Sequence, residues 1–531
     1  VNVLDRAEPD SALTRLRRTL RVRDALRYTR TIGGVAVPAL RIGVSFGVPI
    51  AALAAAGRTD LVPFAAFGAF TSLYCRVDTW SRRARLLPLI ALGLVASVAT
   101  ATMIAATTDD ALIGVLVLSA IATVGKLAAD VLEFGPPGGL MFVFAAGAAA
   151  YATQDWSAAG LHIGVTAASA ALSAALSLLG NLLHPTGPHR VAAARALVAV
   201  ADHLDNPNPA TRHRAHLAVH RASATLRGTG RTVTALRAHL ADAEHLLHHP
   251  ADAVHLRDLA RKLHRGRIPQ PSSAPQFQLK PRSAPGDGSQ FQLKPRSARI
   301  SPFLPNAGRM LLSCLIAGLV TIAVGLDHAY WAVVSASAVL QSTNATATWL
   351  RTVQRLLGTL AGAVVAFAMF GLHPSPVVIL VLVVVCQLVA ELFVQANYAL
   401  GLLFVTPLAL GLASLSNPGA HNELIAERIT TTVLGALIAA AVSLVLINRQ
   451  SARRLNAALA ECREALQQLR GAEESTVARA RLTRAVFALR NAHAVADGEP
   501  WHRNPRTREV LDTEHEAYEL LAATAPSRTT A

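Results

Sequence analysis

Two long apolar blocks, about 34–183 and 308–447, separated by polar, Arg-rich sequence, constrain this chain more than any other feature. Inside lipid every backbone N–H and C=O must find a partner within the protein, which leaves helices and closed barrels as the spanning structures. The blocks are rich in Ala, Leu, Val and Gly and show no strand-like alternation, so they read as helices. Charged residues make up only 16% of the chain. A soluble protein carries about 25%.

Each block divides into six apolar spans. The first gives about 34–56, 60–75, 86–106, 111–129, 138–153 and 158–183. The second gives about 308–326, 330–343, 353–371, 376–394, 397–415 and 428–447. A crossing helix needs about 20 residues, and several of these spans are shorter. The second span of each half is notably short, and both are followed by basic turns: Arg76, Arg82, Arg83 and Arg85, then Arg351 and Arg355. Short segments at matching places in two halves point to a transport site.

The formal net charge is +17. The basic residues gather beside the apolar blocks, as cytoplasmic loops require, and no nucleic-acid motif accompanies them. The expected partner from this pattern is the lipid bilayer, with no nucleic acid; a small organic anion is the further partner that the candidate arginines and the family resemblance below suggest, and the long helical polar regions fit a homo-oligomer. Positive-inside logic places the chain in the cytoplasmic membrane as a multi-pass protein with both termini and the connector in the cytoplasm. The charged first 30 residues do not read as a cleavable signal.

The expected organisation is a basic N-terminus (1–33), a first transmembrane half (34–183), a cytoplasmic helical domain (184–265), a disordered linker (266–305), a second half (306–448) and cytoplasmic C-terminal helices (449–531), the last broken near Gly498–Pro505. Within the linker, Gln276–Ala284 recurs as Gln290–Ala298, a duplication read as slippage. The fold class is thus an all-α membrane protein with two six-helix halves in parallel repeat and cytoplasmic helical regions.

Short matches keep their order along both halves. Thr79-Trp80-Ser81-Arg82 pairs with Thr348-Trp349-Leu350-Arg351, and Arg85-Leu86-Leu87 with Arg355-Leu356-Leu357. Arg41 pairs with Arg309, and Gly139–Val143 with Gly401–Val405. Two halves that start on the same side relate by an axis along the membrane normal, which leaves a central seam.

Ionisable residues within such spans are expensive and mark function by default. Lys126 and Asp130, four apart, share a helix face and fit an internal ion pair or a proton-coupled gate. Glu391 stands nearly alone in the apolar run 377–394, which makes it the leading candidate for a proton carrier. Its rival reading is a carboxylate at a helix end, wet or paired with an Arg. Arg309, Arg351 and Arg355 suit a carboxylate substrate, because a guanidinium fork binds both oxygens; they suit topological anchoring equally. Trp331 and Tyr398, with Tyr330, could stack an aromatic ring.

Two further groupings read blandly. Cys75, Cys314, Cys386 and Cys462 lack metal or disulfide spacing and look like small apolar fillers. His213, His216 and His220 share a helix face, and His245, His248 and His249 form another cluster; both sit in Ala/Arg/His-rich sequence and read as solvated faces rather than metal sites. No phosphate loop, G-x-S-x-G or H-E-x-x-H occurs, so no enzyme and no cofactor or metal is expected.

The stretch Tyr330-Trp331-Ala332 to Leu340-Gln341-Ser342, then Thr348-Trp349-Leu350-Arg351 and Arg355-Leu356-Leu357-Gly358-Thr359-Leu360-Ala361-Gly362, resembles the signature of the fusaric acid resistance (FUSC-like) membrane family. That family includes aromatic acid exporters and is distantly similar to plant aluminium-activated malate channels. The first half departs from the pattern, with Phe64–Phe70 in place of the Tyr-Trp-Ala segment and Pro88 where Gly358 would stand. The resemblance implies export of small, often aromatic, organic acids; protonatable groups such as Glu391 and Asp130 would make this a proton-coupled exporter. A passive organic-anion channel and a non-transporting membrane scaffold remain the alternatives.

Overall fold

The computed structural model describes residues 25, 36–76, 78–152, 156–183, 186–226, 230–247, 253–270, 303–342, 344–416, 421–446, 449–471, 475–499 and 506–524. The basic N-terminus apart from Ala25, both copies of the linker duplication, His248 and His249, and residues 500–505 of the expected break lie outside these. Among the described residues there is no strand. The chain divides into two compact units, one of 1–183 with 299–447 and one of 184–298 with 448–531.

Among the described residues the first unit holds twelve α-helices in two runs of six. The first run is α1 (Ala36–Ala55), α2 (Val62–Ala69, continued by a 3-10 turn, Phe70–Leu73), α3 (Trp80–Ala105), α4 (Ala111–Leu132), α5 (Leu140–Ala152) and α6 (Trp156–Leu183). The connector then forms α7 (Gly187–Asp205), α8 (Pro209–Thr225), α9 (Arg231–Leu246) and α10 (Ala253–His264) of the second unit. The first unit resumes with α11 (Leu304–Ala323), α12 (Ala329–Val339), α13 (Ala345–Gly371), α14 (Pro376–Phe393), α15 (Tyr398–Ser416) and α16 (His421–Val445).

Among the described residues nine of these helices are long and apolar enough to cross a membrane, not the twelve expected from the apolar spans. The chain is a multi-pass, all-α membrane protein. The helices that fall short are α2, α5 and α12, with 8, 13 and 11 residues. At 1.5 Å per residue an 11-residue helix covers about half of the hydrocarbon. Every residue of α2 and of α12 is buried. A helix apolar on all sides belongs inside a protein, so these two short helices are enclosed by their neighbours rather than facing lipid.

The packing repeats between the two runs. In the first, α1 packs on α2 and α6, α2 on α6, α3 on α5 and α6, and α4 on α5. In the second, α11 packs on α12 and α16, α12 on α16, α13 on α15 and α16, and α14 on α15. The contacts between the runs are reciprocal as well: α14 lies on α1, and α4 lies on α11.

Hydrocarbon tails are as apolar as leucine, so helix association in a membrane rests on close packing, and small residues permit it. A Cβ on Gly68 of α2 would stand 2.2 Å from the Thr166 carbonyl oxygen of α6, and one on Gly435 of α16 would stand 2.2 Å from that of Ala332 in α12. Gly358 and Gly362, one turn apart on α13, let α15 approach so closely that added Cβ atoms would meet Ala399 and Thr406 at 2.6 and 2.7 Å.

Helices α3 and α13 begin earlier than the apolar spans, so their arginines are helical rather than in turns. Asn344 caps α13 by accepting from the Ala347 N–H at 2.8 Å. That places Arg351 and Arg355 in the first three turns, with Arg355 buried. Arg83, in α3, is also buried; it donates to the carbonyls of Cys75, Arg76 and Ser177 at 2.7–3.0 Å and ties the end of the α2 segment to α6.

The second unit joins α7–α10 to α17 (Arg449–Gly471), α18 (Thr476–Asp497) and α19 (Thr507–Ala523). His213 Nδ1 lies 2.8 Å from the Tyr518 hydroxyl, and His216 stacks on the Tyr518 ring with centroids 4.3 Å apart. His220 packs against Phe487. This histidine face is therefore covered by the C-terminal helices rather than solvated. Among the described residues no group of three or more His, Cys, Asp or Glu is placed to hold a metal. All four cysteines are buried and free.

Candidate functional site

Helices α12 and α16 run in the same direction and touch through two polar rungs one helical turn apart. On the first rung the Arg428 guanidinium of α16 lies over the Trp331 ring of α12, 5.0 Å from its centroid. On the second, Ser335 Oγ stands 3.4 Å from Thr432 Oγ1. Gly435, one residue before the next rung, permits the approach. Arg355 of α13 joins from the side, donating to Ser335 Oγ and to the Tyr398 hydroxyl, each at 3.1 Å. Arg351, one turn before Arg355, places its guanidinium 4.7 Å from the centroid of the Tyr398 ring.

Three guanidinium groups thus converge on two aromatic rings and two hydroxyls. None of the three forms an ion pair among the described residues. Arg428 is 1% exposed, yet its Nε and Nη1 meet no acceptor, and Arg355 Nε and Arg351 Nε are likewise enclosed without one. Burying a charged donor without a partner costs several kcal/mol (about 3–5 when a pair is broken). Such an arrangement is complementary to an anion, and the neighbouring rings add an aromatic surface. Glu427, beside Arg428 in sequence, does not neutralise it. It instead accepts from the His328 backbone N–H at 2.6 Å and bonds the His328 ring, which stacks on Trp331.

Of the residues singled out in the sequence, Arg351, Arg355 and Tyr398 come together, and Trp331 joins them through Arg428 and Ser335. Arg309 does not. Its guanidinium donates to the Leu446 carbonyl at the end of α16. Arg428, Ser335 and Thr432 were missed; the signal for Arg428 was its place inside an apolar helix.

Glu391 is not solitary. Arg76, at the end of the α2 segment, grips both of its oxygens, at 2.7 and 3.1 Å. Lys126 and Asp130 pair at 2.7 Å as expected of i, i+4. Lys126 also lies 3.4 Å from the Gln341 carbonyl, and the Gln341 side chain accepts from the Gly139 N–H at 3.2 Å. The two clusters correspond. Lys126 and Glu391 are each the sixteenth residue of their helix, α4 and α14, and each meets the chain just after the other run's short helix.

The first run carries a reduced copy of this cluster. His162 of α6 stacks on Phe64 of α2 with centroids 3.7 Å apart, where the second run has Arg428 on Trp331. Thr166, which corresponds to Thr432, donates to the Phe64 carbonyl. An imidazole thus stands where the second run has the Arg428 guanidinium.

Residues 313–442 match the fusaric acid resistance protein-like family model. The matched stretch contains Trp331, Ser335, Arg351, Arg355, Tyr398, Arg428 and Thr432, so the whole arginine cluster lies within the fusaric acid resistance-like region, as does Glu391. Among curated proteins, the uncharacterized membrane protein YvaC of Bacillus subtilis (strain 168) is 29% identical over 241 residues, covering 44% of this chain. The match covers 37% of that relative's length. No solved structure matches.

Proposed function

We propose that this protein is an exporter of small organic acids, with aromatic acids preferred, and that the substrate carboxylate is held by Arg355 and Arg428. The single observation behind this reading is the buried Arg428 guanidinium with two unpartnered nitrogens beside Trp331, inside the family-matched region. Arg suits the role because its planar fork meets a carboxylate with two bonds. Trp331 and Tyr398 supply the faces on which a ring packs, and Ser335 and Thr432 supply hydroxyls. Arg351 sits one turn nearer the start of α13 and draws anions toward the centre.

In this reading Glu391 couples transport to protons. Protonation removes its charge and releases Arg76, which frees α14 from the end of the α2 segment. Lys126 and Asp130 act as the corresponding contact on the other side of the seam. Positive-inside logic puts the basic ends of the helices, both termini and the second unit in the cytoplasm of a cell whose plasma membrane holds the protein.

The test is uptake of labelled benzoate-type acids into everted vesicles, with and without a proton gradient. The exporter reading expects gradient-dependent uptake that Arg428→Gln and Arg355→Gln abolish. Anion current without proton dependence would replace it with a channel. A phenotype untouched by either substitution would leave only a scaffold.

A further inference from the structure

Arg41 and Arg309 are the sixth residues of α1 and α11, and each is followed one turn later by a serine, Ser45 and Ser313. Each faces the same end of a partner helix. Arg41 Cδ would lie 3.6 Å from a Cβ on Gly180 of α6, and Arg309 donates to the carbonyl of Leu446 after α16. A serine precedes each of these by one turn, Ser177 and Ser443. The two runs thus carry the same four-part arrangement.

They differ in how the arginine is satisfied. Helix α16 ends at Val445, so the Leu446 carbonyl stands free at a helix end and takes the Arg309 guanidinium. Helix α6 continues three residues past Gly180, to Leu183, and Arg41 Nε and Nη2 reach no carbonyl of it. Arg41 Nε and Nη2 are enclosed with no acceptor; the hydroxyls of Ser45 and Ser177 have none either, but neither do those of Ser313 and Ser443, so the two runs differ at the arginine. The surroundings are already cationic. Arg76 and Arg83 lie within electrostatic reach of Arg41, against one carboxylate, Glu391. Glu391 is committed to Arg76, and Arg83 to three backbone carbonyls.

We propose that Arg41, Ser45 and Ser177 form a second anion site, for a small free inorganic anion such as chloride or phosphate, distinct from the Arg355–Arg428 centre. The anion takes the place that the Leu446 carbonyl fills for Arg309. The two unpartnered guanidinium N–H groups supply the charge, and the enclosure of these atoms excludes a bulky substrate. Because the site lies where α1, α6 and α14 meet, its occupant holds the Glu391 contact in place without being transported.

The test is thermal unfolding of the full chain, purified in a phosphate-free maltoside detergent and delipidated. Sodium chloride, sodium phosphate or phosphatidylglycerol is added against a gluconate background of matched ionic strength. The expected result is a saturable rise in Tm with chloride or phosphate that Arg41→Gln abolishes. Ser45→Ala should raise the half-saturating concentration several-fold, which keeps the test open if Arg41→Gln fails to fold. Arg309→Gln and Arg428→Gln should leave the anion effect intact. A rise that survives Arg41→Gln, a response unchanged in Ser45→Ala, or stabilisation by phosphatidylglycerol alone would overturn the proposal. These readouts do not depend on transport, so the site stands or falls separately from the exporter reading.

Discussion

Arg76 grips Glu391 with both terminal nitrogens, at 2.7 and 3.1 Å, and the two residues come from opposite runs of the chain, 315 positions apart. The pair ties the end of the enclosed α2 segment to the C-terminal end of α14. Gln387, one turn back, lies 3.5 Å from the same carboxylate. Removing one partner strands the other charge in a nearly closed site, at a cost of about 3–5 kcal/mol. Glu391→Gln is therefore expected to lower Tm in detergent markedly. The double variant Arg76→Gln with Glu391→Gln should recover part of the loss, since neither side then holds an unpaired charge. A double-mutant cycle followed by thermal unfolding measures this coupling.

At the proposed anion centre, charge alone should not suffice. Arg428→Lys keeps a cation but loses the planar fork that both lies over Trp331 and presents two N–H groups. Binding of a benzoate-type acid to purified protein should weaken at least about tenfold, near 1.4 kcal/mol. Arg428→Gln should weaken it further. Equilibrium dialysis with labelled acid reads both, and Lys126→Met provides a control outside the centre.

Gly435 has no room for a side chain, because its would-be Cβ sits 2.2 Å from the Ala332 carbonyl oxygen. Gly435→Val must push α12 away from α16 and separate Arg428 from Trp331 and Thr432 from Ser335. Overpacking of this kind costs about 1–3 kcal/mol. The expected outcome is a lower Tm together with weaker acid binding, whereas Gly371→Ala, at a site with open space, should change neither.

In the second unit the prediction concerns pH. Burial pushes the His213 imidazole down to about 4, with the Arg490 and Arg221 charges adding to the effect. The folded state therefore resists protonation that the unfolded chain accepts near 6.5. Its contribution to stability is complete above that value and is lost as pH falls from about 6.5 toward 4. His493, also held low by burial, acts in the same direction. Glu514, raised by burial and set between His213 and Arg490, opposes them, because folding favours its neutral form. Hydrogen exchange in Pro209–Thr225 and Thr507–Ala523, corrected for intrinsic rates, should accelerate from pH 7 to 5. His213→Phe, which keeps the ring packed against Phe487 and Tyr518, should flatten that response.

Much of the first unit was legible along the chain because lipid imposes a one-dimensional rule. Helix existence follows from the apolar runs, and all twelve expected spans correspond to helices. Helix length did not follow. Hydropathy cannot separate a helix apolar toward lipid from one apolar toward protein, and α2, α5 and α12 were read as spans for that reason. The arginines after the short helices were read as turns because charge ends an apolar run, yet Asn344 starts a helix that carries Arg351 and Arg355 inward.

The sequence alone determined that the chain is helical, lies in a membrane and repeats its motifs in order, since these depend on composition and spacing. Tertiary structure decided which charges meet. Arg76 finds Glu391, Arg428 finds Trp331 and Arg309 finds the end of α16, because helices distant in the chain are pressed together through glycines. A Coulombic or hydrogen-bonded partner is a property of three-dimensional distance, and no local pattern encodes a contact between residues hundreds of positions apart.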